Sequence, residues 1–370
     1  MRITAPYVGH IWMILRTLGV MTGLEVVPPP PPTRRTVSLG VANSPEWMCF
    51  PFKVVLGNFY EAIELGADTV LMADGPQLCR LGYYSRLFEQ ILHETGHPEV
   101  RVLSLNWQDE QVVALGKFLR VLLGDQVSWR TVAGLIRHAL GAFSLIEEVE
   151  QRVHYLRPRA QDYRAVENIW KGAEGRVGAA LNGRQLKEAR RELFTDLDAL
   201  PLRPEAEPLR VGILGEFIMA MDPFYNFDLE AELGRRGVEV KRFSWVTSWA
   251  KVWLFLAAVG QSHDKAVRRA AAPYLTRDVS GEGMQTIGET VLMAQDGFDG
   301  IVHLQPFTCL PEIVAQNILP NVMRDHDIPV LEMIVDEQTG KMGLLTRLEA
   351  FVDLMSRRRS VRRAAAGGDA

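Results

Sequence analysis

Cysteine is scarce in this chain. Three occur in 370 residues, Cys49, Cys79 and Cys309. The number is odd and the spacing wide, which excludes the disulfide framework of a small secreted domain. No two form a CxxC pair, so neither the common zinc patterns nor ferredoxin spacing applies. Long apolar runs are missing too: no segment reaches the ~18 consecutive apolar residues of a membrane span. The stretch Gly9 to Val20 is short and interrupted by Arg16. Only Arg2 gives it a basic start, and no small-residue cleavage site follows, so a signal peptide is not expected and a cytoplasmic location is. A formal net charge of -4 gives no overall attraction to nucleic acid or to an anionic membrane, and neither is expected as a partner. No GxxxxGK[ST] occurs, which excludes a P-loop for ATP. Gly212 and Gly215 lie near a strand end without a GxGxxG pattern, which argues against NAD or FAD.

What is present is ordinary for a globular protein, with 47% hydrophobic and 23% charged residues. The length allows two cores. Met1 to Ala5 reads as a strand, His10 to Leu18 as a helix and Gly23 to Val27 as a strand. The five prolines Pro28 to Pro32 read as a stiff extended strap. Thr36 to Asn43 reads as a further strand. Pro51 to Leu65 and Gly82 to Thr95 read as helices, and Thr69 to Met72 and Val100 to Leu105 as strands, with a turn at Gly75-Pro76 between.

From Gln108 to Leu200 the β signal fades into amphipathic helical spacing, as in Leu115, Phe118, Leu119 and Leu122, or in Ala189, Leu193 and Leu197. After the proline-rich link Pro201 to Pro208 a second α/β unit begins. It has strands at Arg210 to Gly215, Val238 to Val240, Gly300 to Leu304 and Pro329 to Ile334. Helices are expected at Asn226 to Arg236, Trp249 to Tyr274 and Leu344 to Met355. The predicted fold is α/β: two Rossmann-like parallel-sheet domains, 1–107 and 209–355, with a helical segment at 108–200. The arginine-rich 356–370 is expected to be a disordered basic tail.

Each cysteine falls between a predicted strand and a predicted helix. A helix N-terminus offers unpaired N–H groups and partial positive charge. Both favour thiolate, the soft ligand that selects iron–sulfur clusters or zinc. The bland alternative is three inert core thiols. A shared centre would draw two ligands from the first sheet and one from the second, sitting between the domains. Three protein ligands leave one position open, for an exogenous ligand or for a fourth, non-cysteine side chain.

Other residues near the cysteines carry two readings each. Lys53 and Arg80 are either cations that favour thiolate or bind a ligand phosphate, or surface and ion-pair residues. Glu46 and Glu312 are proton carriers or helix caps. Tyr83 and Tyr84 cover a cluster or simply pack. His93, His97, His303 and His326 show no ligand spacing and read as structural.

A set of segments resembles the 2-hydroxyacyl-CoA dehydratase family, in its acyl-CoA dehydratase activase-related, or CoA protein activase, branch. They are Ser44-Pro45-Glu46 with Cys49-Phe50-Pro51-Phe52-Lys53; Gly57-Asn58; Gly66-Ala67-Asp68; Cys79-Arg80-Leu81-Gly82-Tyr83-Tyr84; Gln305 to Glu312; Asp336 to Gly340; and Thr346 to Phe351. The resemblance implies a [4Fe–4S] cluster held by Cys49, Cys79 and Cys309. It also implies an acyl-CoA substrate and an anaerobic, low-potential electron supplied by an actin-like ATP-hydrolysing activator protein, with a homologous subunit as a further partner. The function expected is a cluster-binding subunit of a radical dehydratase or reductase system, a lyase or reductase component if it is an enzyme. The alternative is a non-catalytic iron–sulfur electron-transfer or activation partner. No acid or base carries over.

Overall fold

A computed structural model describes residues 1–74, 79–106, 118, 120–124, 128–243, 245–247 and 262–367. The turn at Gly75-Pro76, most of 108–127 and the helical expectation over 249–261 lie outside the described residues. The chain is α/β and holds two four-stranded, all-parallel sheets flanked by helices. It divides into two units. The first comprises 1–149, 169–196 and 245–261, and the second 150–168, 197–244 and 262–370. The expected middle segment 108–200 therefore belongs partly to each unit.

In the first unit the strands are β1 (Arg2–Thr4), β2 (Glu25–Val26), β3 (Thr69–Asp74) and β4 (Arg101–Asn106). They lie in the order β2-β1-β3-β4, with Ile3 opposite Thr69 and Val70 opposite Val102. The helices are α1 (Trp12–Thr22), α2 (Arg34–Asn43), α3 (Phe50–Glu64) and α4 (Tyr84–Glu94). The stretch shared between the two units holds α5 (Trp129–Leu156), α6 (Tyr163–Ala179) and α7 (Gly183–Asp198).

The strand expected over Thr36 to Asn43 is a helix, α2. A capping box overrides its β-branched residues: Thr33 Oγ1 accepts from the backbone N–H of Arg35 and Thr36, and Thr36 Oγ1 accepts from that of Thr33. Two glycines let α2 touch α3. A Cβ at Gly57 would stand 1.8 Å from the carbonyl oxygen of Thr36, and one at Gly40 1.6 Å from that of Lys53. The proline strap is held by Asn58 Nδ2, which donates to the Pro30 carbonyl at 2.7 Å.

In the second unit β5 (Leu209–Gly215), β6 (Val238–Arg242), β7 (Gly300–Pro306) and β8 (Val330–Val335) repeat the same order, β6-β5-β7-β8. Every residue of β7 is buried, as expected for a strand covered on both faces. The helices are α8 (Phe217–Met221), α9 (Pro223–Asn226), α10 (Leu229–Arg235), α11 (Ser262–Ala271), α12 (Gly283–Gln295), α13 (Leu310–His326) and α14 (Lys341–Gly367). The helix expected from Asn226 breaks at Phe227 and Asp228, both left-handed. The α11–α12 pair repeats the close contact of α2 and α3, since a Cβ at Gly288 would stand 2.3 Å from the Val267 carbonyl.

The tail expected to be disordered over 356–370 is helical to Gly367. Its arginines are tethered. Arg359 binds Asp299 and the carbonyls of Glu207 and Pro208, Arg358 and Arg362 bind Asp327, and Arg363 binds Glu207. Composition suggested solvation; opposite charges placed by the fold decided otherwise. Among the described residues no helix is long and apolar enough to cross a membrane.

Candidate functional site

All three cysteines occupy N-cap positions, and none is in a disulfide. Cys49 caps α3, where Pro51 sits in the first turn and loses no helical hydrogen bond. It follows helix α2 rather than the expected strand. Cys79 caps the 3-10 turn Arg80–Tyr83 that follows β3, and Cys309 caps α13 after β7. Cys49 and Cys309 are buried, and Cys79 is half-buried.

Two contacts bring the Cys49 and Cys79 segments together in the first unit. Tyr84 Oη lies 2.7 Å from Cys49 Sγ. Arg80 Nη1 donates to the Trp47 carbonyl at 2.8 Å, and its guanidinium lies 5.4 Å from the centre of the Trp47 ring. Tyr84 is held edge-on to Phe52, which stacks on Phe88 at 4.4 Å. Of the tyrosines, Tyr84 is the inner one, whereas Tyr83 is 68% exposed. Lys53 is buried rather than at the surface, one turn into α3, while Glu46 is exposed.

The second unit gathers a different set at the carboxyl ends of β5 and β7, where the strand order switches and open α/β sheets bind ligands. Glu312 lies in the first turn of α13, three residues after Cys309, and is 0% exposed. Its Oε2 receives His303 Nε2 at 2.8 Å and Thr286 Oγ1 at 3.0 Å. Glu216 follows β5 and caps α8, its Oε2 accepting from the Met219 N–H at 2.9 Å. Glu282 stands at the N-cap of α12 and, like Glu216, is half-buried. A Cβ at the neighbouring Gly283 would lie 2.7 Å from the Pro311 carbonyl, so α12 and α13 begin side by side.

Burial, reinforced by the charge of Glu312, raises Glu216 to about 7. Burial, then the charges of Glu312, Glu216 and Asp278, raises Glu282 to about 8. Both carboxyls therefore hold protons near neutrality. Carboxyls shifted this way are a common mark of a working site.

Among the described residues, one group of three metal-ligand atoms lies within 4.8 Å of one another: Glu150, His154 and Glu230. The cysteines do not form such a group. Arg242 already supplies positive charge there. It is 3% exposed, bonds Glu150 at 2.9 and 2.8 Å, and reaches Glu230 at 3.3 Å. Burial drives His154 down to about 3, so it is neutral beside them. The group is a buried ion-pair core.

Sequence reasoning missed Glu216 and Glu282 and set His303 aside. The available signal was the alternation in Ile301-Val302-His303-Leu304-Gln305, which sets two polar side chains on one face of an apolar strand. A scan against protein-family models finds no match to this chain, and neither does a search of curated proteins.

Proposed function

We propose that this chain is the [4Fe–4S] cluster-binding component of an ATP-dependent, low-potential dehydratase or reductase system for 2-hydroxyacyl-CoA thioesters or similar substrates. The observation that carries the reading is the shared position of Cys49, Cys79 and Cys309 at helix N-caps. There the first-turn N–H groups and the helix dipole favour thiolate and donate toward sulfur. Three soft donors with no fourth cysteine suit a cluster with one exchangeable position. When bound, such a cluster would supply one-electron chemistry and a site for a substrate oxygen. The chain's own groups would hold it: Tyr84 bonds one sulfur, and Arg80 joins two of the ligand segments through Trp47. An actin-like ATPase is the matching electron donor, and a homologous subunit is a further partner.

The experiment is anaerobic purification followed by iron and sulfide analysis. About four of each per chain is expected. Replacement of any one cysteine by alanine should empty the site. Iron-free protein, or zinc in its place, overturns the reading.

Exposed Phe307 and Leu310 on either side of Cys309 favour a second reading, an electron carrier that docks on a protein and takes no substrate. Addition of a 2-hydroxyacyl-CoA to the reduced protein separates the two, because only the enzyme should change its EPR signal.

A further inference from the structure

The two units share one winding, and their helix caps can be compared position by position. Cys79 and Cys309 each follow the third strand of a sheet. Cys49 caps the helix that leads into the third strand of the first sheet, and the matching cap in the second is Glu282. A carboxyl thus stands where the other unit places a thiol.

Around it lie polar atoms the fold has sealed in. His303 Nδ1, Gln305 Oε1 and Glu312 Oε1 have no hydrogen-bond partner among the described residues, at exposures of 0, 2 and 0%. Ser280 Oγ, two residues before Glu282, is in the same condition. An unmet buried polar atom is costly in a core but useful where a ligand's own groups complete the set. The backbone is strained in both loops: Ser280 at φ 64° and Thr308 at φ 68° are left-handed without being glycine.

Among the described residues, Glu312 from α13 acts on both carboxyls, Glu216 and Asp278 act on Glu282, Tyr225 of α9 faces Glu216, and His303 of β7 bonds Glu312.

We propose that Glu282, with Glu216 beside it, is a proton-donating site for the hydroxyl or carbonyl oxygen of a small organic substrate, positioned by the Glu312–His303 pair. The carboxyl O–H bond breaks, the proton forms a new O–H bond on the ligand oxygen, and the carboxylate left behind is reprotonated from water. Gln305 Oε1 is an acceptor for a ligand hydroxyl. Glu312 keeps its neighbours protonated and does not itself transfer. The substrate class rests on the proposed function; the proton-holding site does not.

The test is carbon NMR of the full chain labelled at the glutamate carboxyls, titrated beside Glu216→Gln, Glu282→Gln and Glu312→Gln. Two glutamates should titrate near 7 and 8. Each of the first two variants should lose one of them, and Glu312→Gln should move both downward by about half a unit or more. If every glutamate titrates below about pH 5.5, or Glu312→Gln moves neither, the site is overturned. A second arm uses a 2-hydroxyacyl-CoA as probe. Glu282→Gln should lower kcat about 100-fold at unchanged KM and abolish the fall in rate above about pH 8. An unaltered kcat in that variant overturns proton transfer. If the parent chain, reduced and supplied with ATP and an actin-like activator, shows no turnover, the dehydratase reading fails, while the titration still decides the site.

Discussion

The phenol of Tyr84 reaches 2.7 Å from the sulfur of Cys49, across 35 residues of chain, from the first turn of α4 to the cap of α3. A phenol O–H donated to sulfur stabilises thiolate over thiol. Tyr84→Phe keeps the ring against Phe52 and removes the donor. The pH midpoint of Cys49 alkylation should rise by about half to one unit, since the net hydrogen bond is worth about 1 kcal/mol. Iodoacetamide labelling across pH, followed by peptide mass spectrometry, reads this directly. An unchanged midpoint would mean the contact is packing alone.

Removing the guanidinium of Arg242 should be costly. Arg242→Met leaves Glu150 and Glu230 buried without their counter-charge, a loss of about 3–5 kcal/mol. Burial already raises Glu230, so acid that protonates the orphaned carboxylates should narrow the gap between variant and parent. Urea unfolding at pH 5 and pH 8 would show it; a gap that widens in acid contradicts the ion-pair reading.

Glu282 and His154 give opposite pH signatures. The folded state holds a proton on Glu282 up to about 8, whereas the unfolded carboxyl releases it near 4.5, so folding binds more protons in that window. Stability conferred at this position falls as pH rises. Glu282→Gln should therefore gain on the parent chain at pH 8 and show little gain at pH 4.5. His154, held to about 3 against an ordinary 6.5, binds fewer protons when folded. Its stabilising contribution is complete above 6.5 and is lost as pH falls toward 3. Melting temperatures of Glu282→Gln and His154→Gln across pH separate the two slopes.

The terminal helix should contribute through one arginine more than the rest. Arg359 is 23% exposed against an Asp299 at 11%, and it also binds two carbonyls. Arg363 and Glu207 are both mostly exposed. Arg359→Ala should cost about 1.5–3 kcal/mol and Arg363→Ala less than about 0.5. Equal losses in thermal unfolding would show that the helix, not its tethers, sets the effect.

The strands and most helices were legible in the sequence because they follow simple periodicities. Val211-Gly212-Ile213-Leu214 and Ile301-Val302-His303-Leu304 are buried on both faces and read as short apolar runs. The α2 segment misled because Thr36, Val37 and Val41 favour strand, while its fate was set by Thr33 and by contact with a helix later in the chain. The tail misled because its charge partners, Asp299 and Asp327, lie some 30 to 60 residues upstream. The cysteines stood out by rarity, and their caps by the prolines at Pro51 and Pro311. Glu216 and Glu282 did not stand out, because an isolated glutamate looks the same in sequence whether it faces water or another carboxylate. Burial, with Glu312 brought close by the fold, makes them unusual.

The repeated β-strand winding gives this molecule a built-in control experiment. A bulky side chain at Gly57 or at Gly288 forces apart equivalent helix pairs, and both should unfold their unit by steric means alone. Cys49 and Glu282 occupy matched seats with different chemistry, so swapping thiol for carboxyl in either direction perturbs reactivity against a common scaffold. An effect seen at both glycines and at neither matched seat would belong to the architecture. An effect confined to the seats would belong to what the protein does.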